Sequence, residues 1–445
     1  MKGLSNKNLA DFQKNFSQDG RNQLAANNAV RNGVLESSTN YARTRELPFT
    51  FSIDLKQGKI TNQKASGRCW IFAATNVLRY EMIQKFKLET FELSQNYLFF
   101  YDKLEKANYY LESVLKTVDE PIDGRLFSFI NANPLQDGGQ WDMVANLIRK
   151  YGVVPKEAYP DAASATSSRF FDQYLTTRLR EGAMQLRELA TQGAKSMVLQ
   201  KKKIAVMDDI YRMLCISLGQ PPKTFDFTMR NKDNKVTQDF GITPQEFFKK
   251  YIGLNLDDYV GLIHSPQKSK PYNQLYTVKF LGNVAEGKDI VYLNLPMEKI
   301  KKAAISQLKD GHPVWFGSDC SKFGLRNEGV FDRKATDVEN LFQVTYHFDK
   351  AQALDYGDSA MNHAMVLLGV NLNQDKKPDR WRIENSWGKD AGGHDGYYVA
   401  SDEWFDDYVY QVVVNKKYLD KATKELLKGE VTALEPWDPF GSLAD

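Results

Sequence analysis

Three residues of this 445-residue chain have the types and surroundings that nucleophilic acyl transfer needs: Cys69, His363 and Asn385. A thiol attacks well only as its thiolate, and that form is favoured at a helix N-terminus or beside a histidinium. Cys69 meets the first condition, because Gly67 and Arg68 lead directly into an amphipathic run beginning at Trp70. The first-turn N–H groups and the helix dipole favour a negative sulfur there. Gln63 lies six residues upstream in the turn-like segment TNQKASG, and its amide can donate to a developing oxyanion beside the Cys69 N–H. One such donor is worth roughly 3–4 kcal/mol in the transition state. His363 opens the apolar strand AMVLLGV, and Asn385 falls in IENSWG on a neighbouring strand candidate. An asparagine oxygen can accept from one imidazole nitrogen and hold the ring while the other nitrogen faces the thiolate. Trp387 is placed to shield that bond from water.

These side chains need elements to carry them. Apolar residues at 70, 73, 74, 77 and 78 predict a buried helix over 67–79. Ser94 precedes a second helical run, and QWDMVANLIRKYG forms a third with Gly152 at its C-cap. Between about 160 and 265, two long amphipathic stretches predict a helical insertion, followed by the capping box of Thr243 and Glu246 with Pro244 at the first helical position. From about 275, YTVKFLGNV, IVYLNLP, PVWFG, HAMVLLGVNL, RWRIENSWG and GYYVASDEW read as strands, interrupted by the helix MEKIKKAAISQLKDG. The expected class is α+β. Its expected parts are an N-terminal segment and helical lobe (1–160), a helical insertion (161–270), a β lobe (271–430) and a C-terminal arm (431–445).

Composition narrows the function classes. The net charge of +3 is too small to make nucleic acid the main partner, and KKK at 201–203 reads as the wet side of a helix. The N-terminus has no apolar leader and no 18-residue apolar run occurs, so neither secretion nor a membrane span is expected. Three cysteines are too few for a disulfide framework, and together these features predict a reducing cytoplasm. Cys215 and Cys320 read as structural, and His264, His312, His347 and His394 have no metal-ligand spacing. The chemistry proposed for Cys69 needs neither a metal nor an organic cofactor.

GRCW, NHAM and ENSWG, with Gln63 upstream, resemble papain-type active-site segments. More closely, QKASGRCWIFA, LQDGGQWDM, YGVVPKEAYP, MNHAMVLLGV, RWRIENSWG and EPWDPFG resemble the bleomycin hydrolase family and its bacterial aminopeptidase C members, from about residue 40 onward. Two departures stand out. Ser66 occupies the place where secreted papain-type enzymes carry a cysteine, and His363 and Asn385 follow Cys69 by 294 and 316 residues, against about 130–150 in those enzymes. The insertion accounts for most of that excess.

The resemblance implies a papain-like two-lobed fold, a helical lobe facing an antiparallel β lobe across a cleft, and a homohexamer assembled through the insertion. It implies that Gly138 and Gly139 pair with an extended substrate through their backbone. It also implies that the C-terminal arm lies in the cleft, with Asp445 meeting the α-ammonium of a peptide that has a free N-terminus. The expected activity is then that of a cysteine aminopeptidase working through a thioester. Its rivals are an endopeptidase or acyl transferase using the same nucleophile, and, in a different class, a nucleic-acid-binding or scaffold protein.

Overall fold

The helix predicted around Cys69 runs from Cys69 to Phe86 and is buried on nearly every face. It is therefore the central rod of its lobe, which is why its apolar stripe is so broad. The structure, a computed structural model, describes residues 1–444, so Asp445 lies outside the described residues. Ser94 caps the next helix, Gln95–Lys116, by accepting the Tyr97 N–H at 3.1 Å. Helix Trp141–Tyr151 packs beside these two and ends at Gly152, whose φ of +73° suits a residue without Cβ.

The stretch read as purely helical contains more than helices. Arg169–Thr191 and Ser196–Leu218 pack together where Gly182 lets Val206 approach closely. They are followed by an antiparallel hairpin, Phe225–Arg230 with Val236–Ile242. Thr243 and Glu246 form the expected capping box. One surface expectation is corrected. Lys203 is buried, with its ammonium on Asn108 and Glu112, so a single cation of the KKK run turns inward to find its partners.

Among the described residues, the β lobe is built on a twelve-stranded sheet that also takes in strands from outside 271–430. At its centre, strand His363–Leu372 pairs antiparallel with Val314–Ser318 on one side and Pro378–Glu384 on the other. Strand Tyr397–Ser401 extends the sheet beyond Pro378–Glu384. The sequence reading ran that strand through DEW, whereas Ser401 caps a helix there, Asp402–Tyr408. Val409–Asn415 and Tyr259–Ile263 continue the sheet on the other side and were not anticipated. The segment PFTFSIDL pairs only at Ile53–Asp54. Before that point the Arg380 guanidinium takes the carbonyls of Pro48 and Thr50, so a side chain replaces a ladder.

The C-terminal arm is built into the body. Val431–Leu434 adds a parallel strand beside Gln274–Val278. Trp437 lies under the Arg125 guanidinium at 3.8 Å, and Phe440 is buried edge-on to Tyr276 and Tyr292. Among the described residues, no helix is long and apolar enough to cross a membrane.

Candidate active site

Cys69 is the first residue of its helix and is only 5% exposed. Its sulfur meets the backbone N–H groups of Trp70, in its own helix, and of Ala364, in the β lobe. The two lobes therefore touch at this atom. Burial pushes the Cys69 thiol up to about 11, against the pull of those N–H groups.

His363 stands next to that contact at the start of the central strand, opposite Ser318 in register. Its Nε2 lies 2.9 Å from Asn385 Oδ1, leaving Nδ1 as the ring nitrogen available to the thiol. Asn385 is held in turn, because its Oδ1 also accepts the Ser386 N–H at 2.8 Å. Trp387 stacks on the imidazole with ring centres 5.0 Å apart, covering the pair. Burial pushes His363 down to about 4, with the Asn385 contact opposing it. Low polarity thus disfavours either ion alone. A proton moved from sulfur to imidazole creates two facing charges with no net charge, which that environment tolerates better.

Gln63 is brought to the same place. Its Nε2 donates to Ser66 O at 2.7 Å, its Oε1 accepts from Ser386 Oγ at 2.6 Å, and its backbone N–H donates to Ser386 O at 2.8 Å. The amide NH₂ carries two hydrogens, so one remains beyond the Ser66 bond. Sequence reading named Asn385 and passed over Ser386; the signal lay in the same ENSWG segment.

Gly138 and Gly139 occupy the opposite wall, and the arm already lies on them. Gly139 N–H donates to Leu443 O at 3.0 Å, and a Cβ on Gly138 would come within 2.5 Å of that oxygen. Ser442 Oγ donates to Met361 O at 2.8 Å, so the arm also touches the segment just before His363. Asp445, the remaining residue expected at the site, lies outside the described residues.

Beneath the glycines sits a charged cluster that the sequence reading missed. Lys103 is fully buried and reaches Asp137 and Asp172, each at 2.7 Å. Asp137 accepts the Gly67 N–H at 2.8 Å, and its backbone oxygen accepts Trp70 Nε1 at 2.7 Å. Burial favours the neutral acid, but Lys103 and hydrogen bonds from Asp172 and Ser168 hold Asp137 far below the usual carboxylate range. The loop preceding Cys69 is thus anchored by an ionised side chain. Three of the other histidines have structural contacts: His312 bonds Glu81 at 2.7 Å, His264 stacks on Tyr272 and His394 on Phe49, while His347 is exposed.

A helical lobe whose central helix starts with a cysteine, facing a β lobe that presents a histidine–asparagine pair, is the papain-like architecture. The chain belongs to the Peptidase C1-like family, which it matches over residues 3–441. Aminopeptidase C of Lactobacillus delbrueckii subsp. lactis is 45% identical over 446 residues, covering 100% of this chain and 99% of that protein. Aminopeptidase C of Streptococcus thermophilus is 46% identical over 442 residues, covering 99% of this chain and 98% of that one. The crystal structure of PepW from Lactobacillus rhamnosis HN001 superposes with a TM-score of 0.96 at 44% identity, with 98% of each chain covered. The enzyme class is that of a cysteine-type aminopeptidase.

Proposed function

We propose that this enzyme removes N-terminal residues from peptides through a thioester on Cys69. Cys69 Sγ passes its proton to His363 and attacks the first peptide carbonyl, forming a C–S bond. The Gln63 amide and the Cys69 N–H stabilise the oxyanion. His363 then returns the proton to the departing amine as the C–N bond breaks. Water, deprotonated by the same imidazole, hydrolyses the thioester and restores the thiol. The 2.9 Å contact between His363 and Asn385 supports these roles, because it leaves one ring nitrogen for the sulfur.

The restriction to free N-termini is the arm's work in this reading. The observation that carries it is the hydrogen bond from Gly139 N–H to Leu443 O. A backbone group that would pair with an extended substrate is occupied by the chain itself, so a peptide enters with only a short N-terminal part beyond the scissile bond. Asp445 would supply carboxylate charge for the α-ammonium. Apolar side chains exposed along the N-terminal helices (Leu9, Phe12, Phe16) and the insertion (Met184, Met197, Ile216) support assembly into a homohexamer. The sparse, unpaired cysteines support a cytoplasmic setting.

The test is hydrolysis of a free-amino aminoacyl amide and its N-acetylated twin by the wild type, by Cys69→Ala and by a variant ending at Phe440. The wild type should cleave only the free amide, and Cys69→Ala should cleave neither. The shortened enzyme should gain the acetylated substrate. Equal wild-type cleavage of both substrates would remove the arm from the argument, and activity in Cys69→Ala would remove the nucleophile.

A further inference from the structure

The three elements that carry the proposed site are tied together at one buried carboxylate. Glu384 immediately precedes Asn385 at the end of strand Pro378–Glu384 and is 1% exposed. Its Oε1 accepts from Arg79 Nη2 at 2.5 Å, and Arg79, also 1% exposed, projects from the Cys69 helix. Its Oε2 accepts from Gln57 Nε2 at 3.2 Å, at the head of the segment that leads to Gln63. The same Gln57 nitrogen reaches Asn76 O on the Cys69 helix at 3.1 Å. One turn before Arg79 on the same helix, Asn76 donates to Thr61 Oγ1 at 3.1 Å and so fastens the Gln63 segment a second time.

Arg79 is ten residues from Cys69, about 15 Å along the helix. This cluster therefore does not touch the reacting atoms. Nor is it explained by stability alone, since the desolvation of a fully buried ion pair offsets most of its attraction. Directional contacts of this kind fix distances between elements, which apolar packing specifies less tightly.

We infer that Glu384 is a positioning residue for the reaction. Through Arg79 and Gln57 it sets the separations between the Cys69 sulfur, the His363–Asn385 pair and the Gln63 amide. A misplacement of about 1 Å among such groups can cost 10²-fold in rate. The inference rests on the roles proposed above for those residues.

The decisive variant is the double replacement Arg79→Met/Glu384→Leu, which exchanges the pair for apolar side chains of similar size. Such exchanges of buried pairs are often neutral or better for stability. The double variant is expected to melt near the wild type, to lose about tenfold or more in kcat on the free aminoacyl amide, and to keep KM within about twofold. Iodoacetamide alkylation of Cys69, followed on the isolated peptide, is expected to change with it. A folded double variant with wild-type kcat would overturn the inference. If the double variant does not fold, Gln57→Leu decides, since Gln57 is only half-buried: kcat is expected to drop severalfold at constant KM and melting temperature, and unchanged kcat would overturn the inference. A wild type with neither hydrolysis nor selective Cys69 alkylation would instead overturn the site assignment beneath it.

Discussion

Ser386 Oγ donates to Gln63 Oε1 across 2.6 Å, and this contact fixes which end of the Gln63 amide remains a donor. A hydroxyl proton on the oxygen end leaves the nitrogen end, already bonded once to Ser66 O, with one hydrogen to spend on an oxyanion. Gln63→Ala is expected to lower kcat about 10²–10³-fold with little change in KM, as for other single oxyanion donors. Ser386→Ala should cost less, because the Gln63 N–H still holds Ser386 O at 2.8 Å. Steady-state kinetics of both variants on one substrate check the ranking. A Gln63→Ala enzyme within twofold of the wild type would take Gln63 out of the mechanism.

Phe440 is the anchor of the arm. Its ring sits between Tyr276 and Tyr292, with the Lys270 ammonium 5.0 Å above it and its carbonyl 3.1 Å from Tyr292 Oη. Lys270 also pairs with Asp438 at 2.9 Å. Truncating a buried phenylalanine costs about 3–5 kcal/mol, here charged mainly to the seating of the arm rather than to the sheet beneath. Phe440→Ala is therefore expected to hydrolyse N-acetylated peptides that the wild type ignores, with its melting temperature little changed. An unaltered preference for free N-termini, in a variant shown to fold, would mean that the arm is held by its backbone contacts at Gly139 and Met361 instead.

The titration of the site should report the same closure. Burial raises Cys69 to about 11 and lowers His363 to about 4, so between those values each group alone is neutral. Removing residues 441–445 should rehydrate the cleft. The sign follows: solvent favours thiolate and imidazolium, so the thiol pKa falls and the imidazole pKa rises. The pH midpoint of Cys69 alkylation by iodoacetamide is expected to move down on truncation, and the rate at pH 7 to rise about tenfold or more. Peptide mapping keeps Cys69 distinct from Cys215 and Cys320. An unchanged midpoint would show that the burial comes from the two lobes and not from the arm.

The placement of the candidate site's residues was legible because they sit in short segments whose local order matters: Cys69 at a helix start, His363 at a strand start, Asn385 two residues before Trp387. The buried helix was legible for the same reason, since its apolar positions 70, 73, 74, 77 and 78 recur at helical spacing within one short segment. Contacts distant in sequence were not. Nothing near Glu384 signals that its partner is Arg79, 305 positions away. Nothing near Leu443 signals Gly139. The strand Val409–Asn415 was hidden because it follows helix Asp402–Tyr408 without a turn. The hairpin at 225–242 was hidden because only Phe225–Arg230 alternates apolar and polar residues, while its partner Val236–Ile242 does not and is mostly exposed.

Lys103 offers a last prediction, because two carboxylates converge on it. Its ammonium lies 2.7 Å from Asp137 and from Asp172 and donates to Leu135 O at 2.8 Å. Burial already pushes Asp172 up to about 7, while Asp137 stays ionised and holds the Gly67 N–H. Lys103→Met keeps the length and the apolar stem but leaves the two acids facing each other, and breaking a buried pair this way costs about 3–5 kcal/mol. The acids must then share a proton, so their folded-state affinity for protons exceeds that of the unfolded chain. Stability bound to that proton is present at low pH and lost as pH rises. The variant's deficit in melting temperature against the wild type is expected to widen from pH 5 to pH 8, and to shrink when Asp172→Asn is added, since that removes the competing charge. A deficit independent of pH would mean that Lys103 contributes through packing alone, and that the loop before Cys69 does not depend on the charge of Asp137.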